Sequence, residues 1–102
     1  MMDLLKDKSS RKQVTLDVSH IQDSKELHSL LKKELDLPDF YGMNWDAFWD
    51  AITGLVELPE ILIFEGWDHI ERKLPEDSQT LMNILKDFNE QYPLWKCQVI
   101  YK

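Results

Sequence analysis

The chain has 102 residues, a length typical of one domain built around one hydrophobic core. Hydrophobic residues make up 43% of it and aromatic residues 11%, so enough apolar surface is present to offset the conformational entropy lost on folding. The 19 acidic and 12 basic residues give a formal net charge of −7, which disfavours direct binding to nucleic acid and favours a basic partner. An acidic balance is also ordinary for a soluble protein, so charge alone does not assign a function.

Residue counts argue against several other classes of protein. The single cysteine, Cys97, excludes an internal disulfide, and the three histidines are too far apart in sequence to suggest a zinc site. We therefore expect no metal, no cofactor and no catalytic residue. The first eight residues are too charged for a secretory signal, and the longest apolar run, at 61–64, is far too short to cross a membrane. These features predict a cytoplasmic protein that does not contact membranes.

The first half of the chain has recognisable starts for one strand and one helix. Residues 1–11 lack apolar periodicity and are predicted to be a mobile N-terminal tail ahead of a single domain at 12–102. Residues 13–18 alternate apolar and polar side chains, which predicts a strand with one buried face. Asp23 followed by Glu26 resembles a capping box and predicts a helix that runs to about Leu35.

A second helix is predicted after a proline- and glycine-containing segment at 36–43. Asn44 is a good N-cap residue, which starts the helix at Trp45, and Gly54 suits the left-handed position that often follows a helix end. Apolar residues at helical spacing predict that its core face comprises Trp45, Phe48, Ile52 and the adjoining Leu55.

The second half of the chain alternates strands and helices. Residues 61–64 predict a buried strand, and residues 67–73 a short helix that ends before Pro75. A longer helix capped by Asp77 or Ser78 is expected to stop near Pro93, and residues 97–101 predict a third strand. Strands separated by helices imply parallel pairing, so the expected fold is α/β, with a three-stranded parallel sheet packed with about four helices.

The second helix has an acidic face as well as a core face. Asp46, Asp50 and Thr53 recur at positions i, i+4 and i+7, and Trp49 lies at the border of the two faces. Asp46 is in the first turn, where the helix dipole favours it, whereas Asp50 faces a like charge near the negative end, at a cost of roughly 0.3–1 kcal/mol. A residue that reduces helix stability is a candidate for function. The alternatives are that Asp50 is a tolerated solvating residue and that Trp49 is a core tryptophan.

The segment LKKELDLPDFYGMNWDAFWDAITG at 31–54 resembles the barstar family, the intracellular inhibitors of secreted ribonucleases such as barnase. The order of elements extends the resemblance over residues 13–102. It implies a barstar-like fold and a protein that is a monomer when free. It also implies a one-to-one complex with a basic, extracellular-type, barnase-like ribonuclease, in which an acidic helix mimics substrate phosphates and blocks the active site.

The resemblance also implies roles for particular residues. Asp50 corresponds to the main phosphate mimic, Asp46 to a second charged contact, and Asn44 to the residue that shapes the helix start. Two positions depart from the family pattern, because Phe40 replaces a tyrosine of the contact loop and Leu55 replaces a tryptophan, which leaves open a nuclease other than barnase. The predicted partner-binding residues are Phe40, Asn44, Asp46, Trp49, Asp50, Thr53, Gly54 and Asp87, the last where the family has a glutamate in the later helix.

Two other functions remain open from the sequence. The chain could be a barstar-like interaction domain for a basic protein that is not a nuclease. A small hydrolase using Asp46 and Asp50 as an acid/base pair is less favoured, because no motif supplies a nucleophile, oxyanion donors or a metal. The expectation is therefore a binding protein and not an enzyme.

Overall fold

The computed structural model describes residues 12–102, and the predicted tail at 1–11 lies outside this part of the chain. In the described part, three strands form one parallel sheet and four α-helices pack around it, which confirms the predicted α/β fold. The elements in chain order are β1 (Gln13–Asp17), α1 (Ser24–Glu34), α2 (Trp45–Gly54), β2 (Ile61–Glu65), α3 (Trp67–Lys73), α4 (Pro75–Gln91), a 3-10 helix (Pro93–Trp95) and β3 (Gln98–Tyr101).

The sheet has β2 at its centre, paired in parallel with β1 on one side and β3 on the other. Three consecutive residues of β2, Leu62, Ile63 and Phe64, are buried, as expected for a central strand covered on both faces. In β1 burial alternates along the strand, so Val14 and Leu16 face the core. The third strand begins one residue later than predicted, after the buried Cys97.

Helix α1 begins at the predicted cap. The Asp23 side chain accepts a hydrogen bond from the backbone N–H of Glu26, at 2.9 Å. The Glu26 carboxylate accepts from the N–H of Gln22, one residue before the cap, so two N–H groups near the helix start are satisfied by side chains. The helix ends at Glu34 with Leu35 as its C-cap, close to the predicted end.

The end of α2 differs from the prediction in two ways. Gly54 is the last helical residue and does not occupy a left-handed position after the helix; within residues 12–102 the glycine with a positive φ is Gly66, at 76°. Leu55 is 55% exposed and does not belong to the core face. Its backbone N–H bonds to the carbonyl of Ala51 as a C-cap, and with a φ of −120° its side chain leaves the helical repeat that buries Phe48 and Ile52.

Helix α4 begins at Pro75, two residues before Asp77 and three before Ser78, the two predicted caps. Pro75 occupies its first turn, where a missing N–H costs nothing, and the predicted cap Ser78 lies inside the helix with its hydroxyl bonded to the Pro75 carbonyl. Asp77 does not cap the helix either, because its carboxylate accepts a hydrogen bond from Trp45.

The core lies between the sheet and the helices, and its packing sets α2 against α4. Phe48 and Ile52 of α2 belong to the same buried cluster as Leu81, Leu85 and Phe88 of α4. The outer faces of these two helices are therefore held side by side. No helix in residues 12–102 has the length and apolar character that crossing a bilayer requires.

Candidate protein-binding site

An open groove of about 600 Å³ runs between α2 and α4. It brings together four of the eight predicted binding residues, the three aspartates and Trp49. Its walls are formed by Trp45, Asp46, Trp49 and Asp50 from α2 and by Thr80, Ile84, Asp87 and Gln91 from α4. The two helices that the core packs side by side thus place carboxylates from distant parts of the chain on one surface.

The three carboxylates of the groove are exposed and unpaired. Among residues 12–102, the side chains of Asp46, Asp50 and Asp87 make no hydrogen bond or ion pair, and no lysine or arginine lines the groove. Other aspartates serve the fold instead: Asp77 accepts from Trp45, and Asp17 accepts from Ser19, whose hydrogen bonds lower the pKa of that carboxyl. The groove is therefore a concentration of negative charge that nothing in the described chain neutralises.

Asp50 occupies the unfavourable place on α2 that its sequence position predicted. Asp46 lies in the first turn, near the positive end of the helix dipole, whereas the last turn of α2 contains no basic residue. Asp50 is thus one turn from a like charge and without a basic neighbour on its own helix.

The start of α2 is fixed by Asn44, which uses both ends of its amide within the chain. The side-chain oxygen accepts from the N–H of Ala47 at 2.8 Å, and the side-chain nitrogen donates to the carbonyl of Gly42 at 3.1 Å. The preceding residue, Met43, has a φ of 57°, an uncommon conformation for a residue with a side chain. Asn44 therefore sets where the acidic helix begins.

A buried contact behind the loop before α2 holds that loop in place. The Nδ1 of His28, on α1, is 2.6 Å from the hydroxyl oxygen of Tyr41, and this hydroxyl is 3.3 Å from the carbonyl oxygen of Asn44. Burial raises the pKa of Tyr41, which keeps the phenol protonated. The helix start is thus connected to α1 through two buried side chains.

Trp45 connects this contact to the groove. Its indole N–H donates to the Asp77 carboxylate at 2.9 Å, and the centroid of its ring is 4.2 Å from that of His28. Burial lowers the pKa of His28, and the charge of Asp77 opposes that shift. From the sequence, Trp45 was predicted to lie in the core and His28 was given no role, because the residues that each contacts are distant in the chain.

The remaining predicted residues lie outside the acidic groove. Thr53 and Gly54 line a neighbouring apolar groove, and the Thr53 hydroxyl donates to the Trp49 carbonyl of the same helix at 2.7 Å. Phe40 is 77% exposed on the loop between α1 and α2 and lines neither groove. The predicted set is therefore divided into an acidic groove, its apolar neighbour and the loop.

Of the four groove residues on α4, only Asp87 was predicted to bind the partner, although a signal for the other three was present. Thr80, Ile84, Asp87 and Gln91 recur at i, i+4, i+7 and i+11, the spacing of one helix face. The sequence does not show that this face of α4 lies beside α2.

Comparison with known proteins identifies a matching family and a similar bacterial protein. The model of the family described as Barstar (barnase inhibitor) matches residues 11–99. The Bacillus subtilis (strain 168) protein named "Putative ribonuclease inhibitor YrdF" is 30% identical over 80 residues, which are 78% of this chain and 88% of that protein. The family match extends from β1 into β3 and includes both helices of the acidic groove.

Proposed function

Because the chain belongs to the barstar family, we propose that it inhibits a basic ribonuclease by laying the acidic groove across the enzyme's active site. The membership agrees with the resemblance of residues 31–54. The observation that carries the proposal is the group of three unpaired carboxylates, Asp46, Asp50 and Asp87, on one open surface. A ribonuclease active site is built to hold phosphates and supplies positive charge, which matches this surface.

In the proposed complex the carboxylates occupy the positions of substrate phosphates. Asp50 is the main mimic, and Asp46 and Asp87 are further charged contacts. Guanidinium groups form charge-assisted hydrogen bonds with carboxylates as they do with phosphates. Because no basic side chain of residues 12–102 lines the groove, the inhibitor breaks no ion pair of its own there when it binds.

The aromatic side chains of the groove supply contact area next to the charge. Trp45 and Trp49 are half-buried, and Trp45 is held by its bond to Asp77. Rigid aromatic residues at the edge of a charged patch are typical of energetically important contacts. The complex of barnase with its inhibitor is a reference example both of energetically important contacts at an interface and of association that is accelerated by charge.

The geometry favours binding over acid/base catalysis. Asp46 and Asp50 are exposed in an open groove, and neither lies at the base of a deep apolar cleft of the kind that separates acid and base roles. The proposal includes a one-to-one complex and a free monomer, since a net charge of −7 opposes self-association. It also includes a cytoplasmic location, with which the free buried thiol of Cys97 agrees.

The test is a titration of barnase and a panel of other basic secreted ribonucleases with the purified protein. We expect competitive inhibition of at least one enzyme that is complete at one equivalent. Asp50→Asn should weaken that inhibition strongly. The matched control is Glu71→Gln, which removes the same charge from an exposed residue of α3 outside both grooves and should leave inhibition unchanged.

Two results would contradict the proposal. If no ribonuclease is inhibited while a basic protein without nuclease activity, such as cytochrome c, binds equally well, the protein is an interaction domain for basic partners in general. If Asp50→Asn and Glu71→Gln have the same effect, net charge and not the groove governs binding.

A further inference from the structure

A second groove of about 660 Å³ lies beside the acidic one and is dominated by apolar side chains. Leu94 is 95% exposed, Trp95 is 58% exposed and Leu55 is 55% exposed, and all three line this groove. They are among the few large apolar residues of the described chain that face solvent. Apolar side chains gathered on one exposed surface are typical of an interaction site.

The turn that carries Leu94 and Trp95 is held rigidly. Pro93 occupies its first position, and the N–H of Trp95 bonds to the carbonyl of Tyr92 at 2.9 Å. Cys97, two residues after Trp95, is fixed from α4, because the Asn89 side chain donates to the Cys97 carbonyl at 2.7 Å and accepts from the Cys97 N–H at 2.8 Å. A rigid turn displays its apolar side chains with little entropy left to lose on binding.

The two grooves share a border. Trp49 lines the acidic groove, Tyr92 lines the apolar groove, and their ring centroids are 6.5 Å apart. Thr53 and Gly54 continue α2 from the acidic groove into the apolar one. A partner seated on the carboxylates of α2 therefore reaches the apolar groove without leaving this face of the molecule.

The charged residues at the apolar groove indicate which kind of partner binds there. Its lining includes Glu57 and Glu60 beside a single basic residue, Lys96. A basic protein is attracted to this rim as it is to the neighbouring carboxylates. A second copy of this chain would bring a net charge of −7 and the same acidic surfaces, so it is disfavoured.

We propose that the turn bearing Leu94 and Trp95 is a second binding element for the same ribonuclease and contacts an apolar surface next to the enzyme's active site. This inference rests on the proposed function. The acidic groove and the apolar turn affect different rates. The carboxylates accelerate association through long-range attraction. The apolar turn slows dissociation, because burial of apolar surface stabilises the complex only after contact.

The experiment measures association and dissociation rates by stopped flow for the ribonuclease of the panel that the protein inhibits most strongly. Leu94→Gln replaces the apolar side chain with a polar one, and should raise the dissociation rate about tenfold, which is a loss of about 1.4 kcal/mol. The association rate and its salt dependence should stay unchanged. Leu94→Met, which remains apolar, is the matched control and should bind as the parent protein does. Trp95→Ala should reproduce the effect of Leu94→Gln.

Each outcome separates this inference from the proposed function. If Asp50→Asn weakens binding while Leu94→Gln and Trp95→Ala leave both rates unchanged, the apolar turn is not a ribonuclease contact and the proposed function stands. If the parent protein sediments as a dimer that Leu94→Gln converts to a monomer without changing ribonuclease binding, the occupant is a second copy. If no enzyme of the panel binds, the proposed function fails and this inference fails with it.

Discussion

The indole N–H of Trp45 donates a hydrogen bond to the carboxylate of Asp77, 2.9 Å away and 32 positions later in the chain. This bond joins the first residue of α2 to the first turn of α4, the two helices that form the acidic groove. Because Asp77 itself does not line the groove, the bond is a positioning contact that holds the two helices in place.

The first prediction tests that contact. Trp45→Phe removes the donor and leaves the half-buried Asp77 without this partner, so the free energy of unfolding should fall by about 1–2 kcal/mol, a range that allows for partial exposure. The matched control is Trp49→Phe, because the Trp49 indole N–H makes no hydrogen bond with residues 12–102. Urea unfolding followed by circular dichroism measures both. Equal losses in the two variants would show that ring volume and not the hydrogen bond is responsible.

The second prediction concerns pH. Burial lowers the pKa of His28, so the folded protein favours the neutral ring, while the unfolded chain takes up a proton near its ordinary pKa of about 6.5. The contribution of the neutral His28 ring to the free energy of unfolding is therefore fully present above about pH 6.5. It decreases as the pH falls from there toward the lowered pKa of the folded state. Urea unfolding at intervals from about pH 8 to about pH 5.5 measures this decline.

The variants for the pH experiment are His28→Gln and His20→Gln. The first removes the buried ring and should flatten the decline in this range, even though it loses the contact with Tyr41 and lowers stability at every pH. The second removes an exposed histidine and should keep the decline. A slope that persists in His28→Gln would assign the proton uptake to another group.

The third prediction compares two glycines by the space around them. Gly54 is helical, and a Cβ added there meets nothing within 4 Å, so Gly54→Ala should stabilise the free protein by about 0.5–1 kcal/mol. Gly66 has a φ of 76°, and an added Cβ would lie 2.5 Å from the Cβ of Ser19, so Gly66→Ala should destabilise it by more than about 1 kcal/mol. Thermal unfolding distinguishes the signs. If Gly54→Ala stabilises the free protein yet weakens ribonuclease inhibition, the absence of a side chain at residue 54 is needed for contact with the enzyme.

The individual elements could be predicted from the sequence because their signals are local. Asn44 predicted the start of α2, and the spacing of Asp46 and Asp50 placed both on one helix face, since caps and periodicity need only neighbouring residues. Leu55 was misplaced because helical spacing was continued past the residue at which the helix ends. Boundaries of this kind depend on which backbone groups find partners.

What could not be predicted depends on how helices pack. The position of Asp87 in the groove requires α4 to lie beside α2, and the Trp45 bond to Asp77 requires the same packing. Residue periodicity identifies which face of each helix is buried but not which helix lies against it. The apolar groove was missed for the same reason, because the turn at Leu94 and the end of α2 meet only in the folded chain.

The last prediction separates function from stability at Asp50 and Asp46. Asp50→Ala removes repulsion from Asp46 and an unfavourable charge near the end of α2, so the free protein should keep its stability or gain up to about 1 kcal/mol. Binding to the inhibited ribonuclease should weaken by about 2 kcal/mol or more, because basic groups of the enzyme would be left buried and unpaired.

Asp46→Ala is the matched variant on the same helix face. Asp46 lies in the first turn, where the helix dipole favours its charge, so its removal should give no gain in stability and should weaken binding less than Asp50→Ala does. Urea unfolding of the two free variants, together with titration against the ribonuclease, measures both effects. The association rate of the parent protein should also fall as salt is raised, since attraction between exposed charges is screened beyond about 10 Å at 0.1 M ionic strength. An Asp50→Ala variant that unfolds more easily yet inhibits normally would make this carboxylate structural and would contradict the phosphate-mimic mechanism.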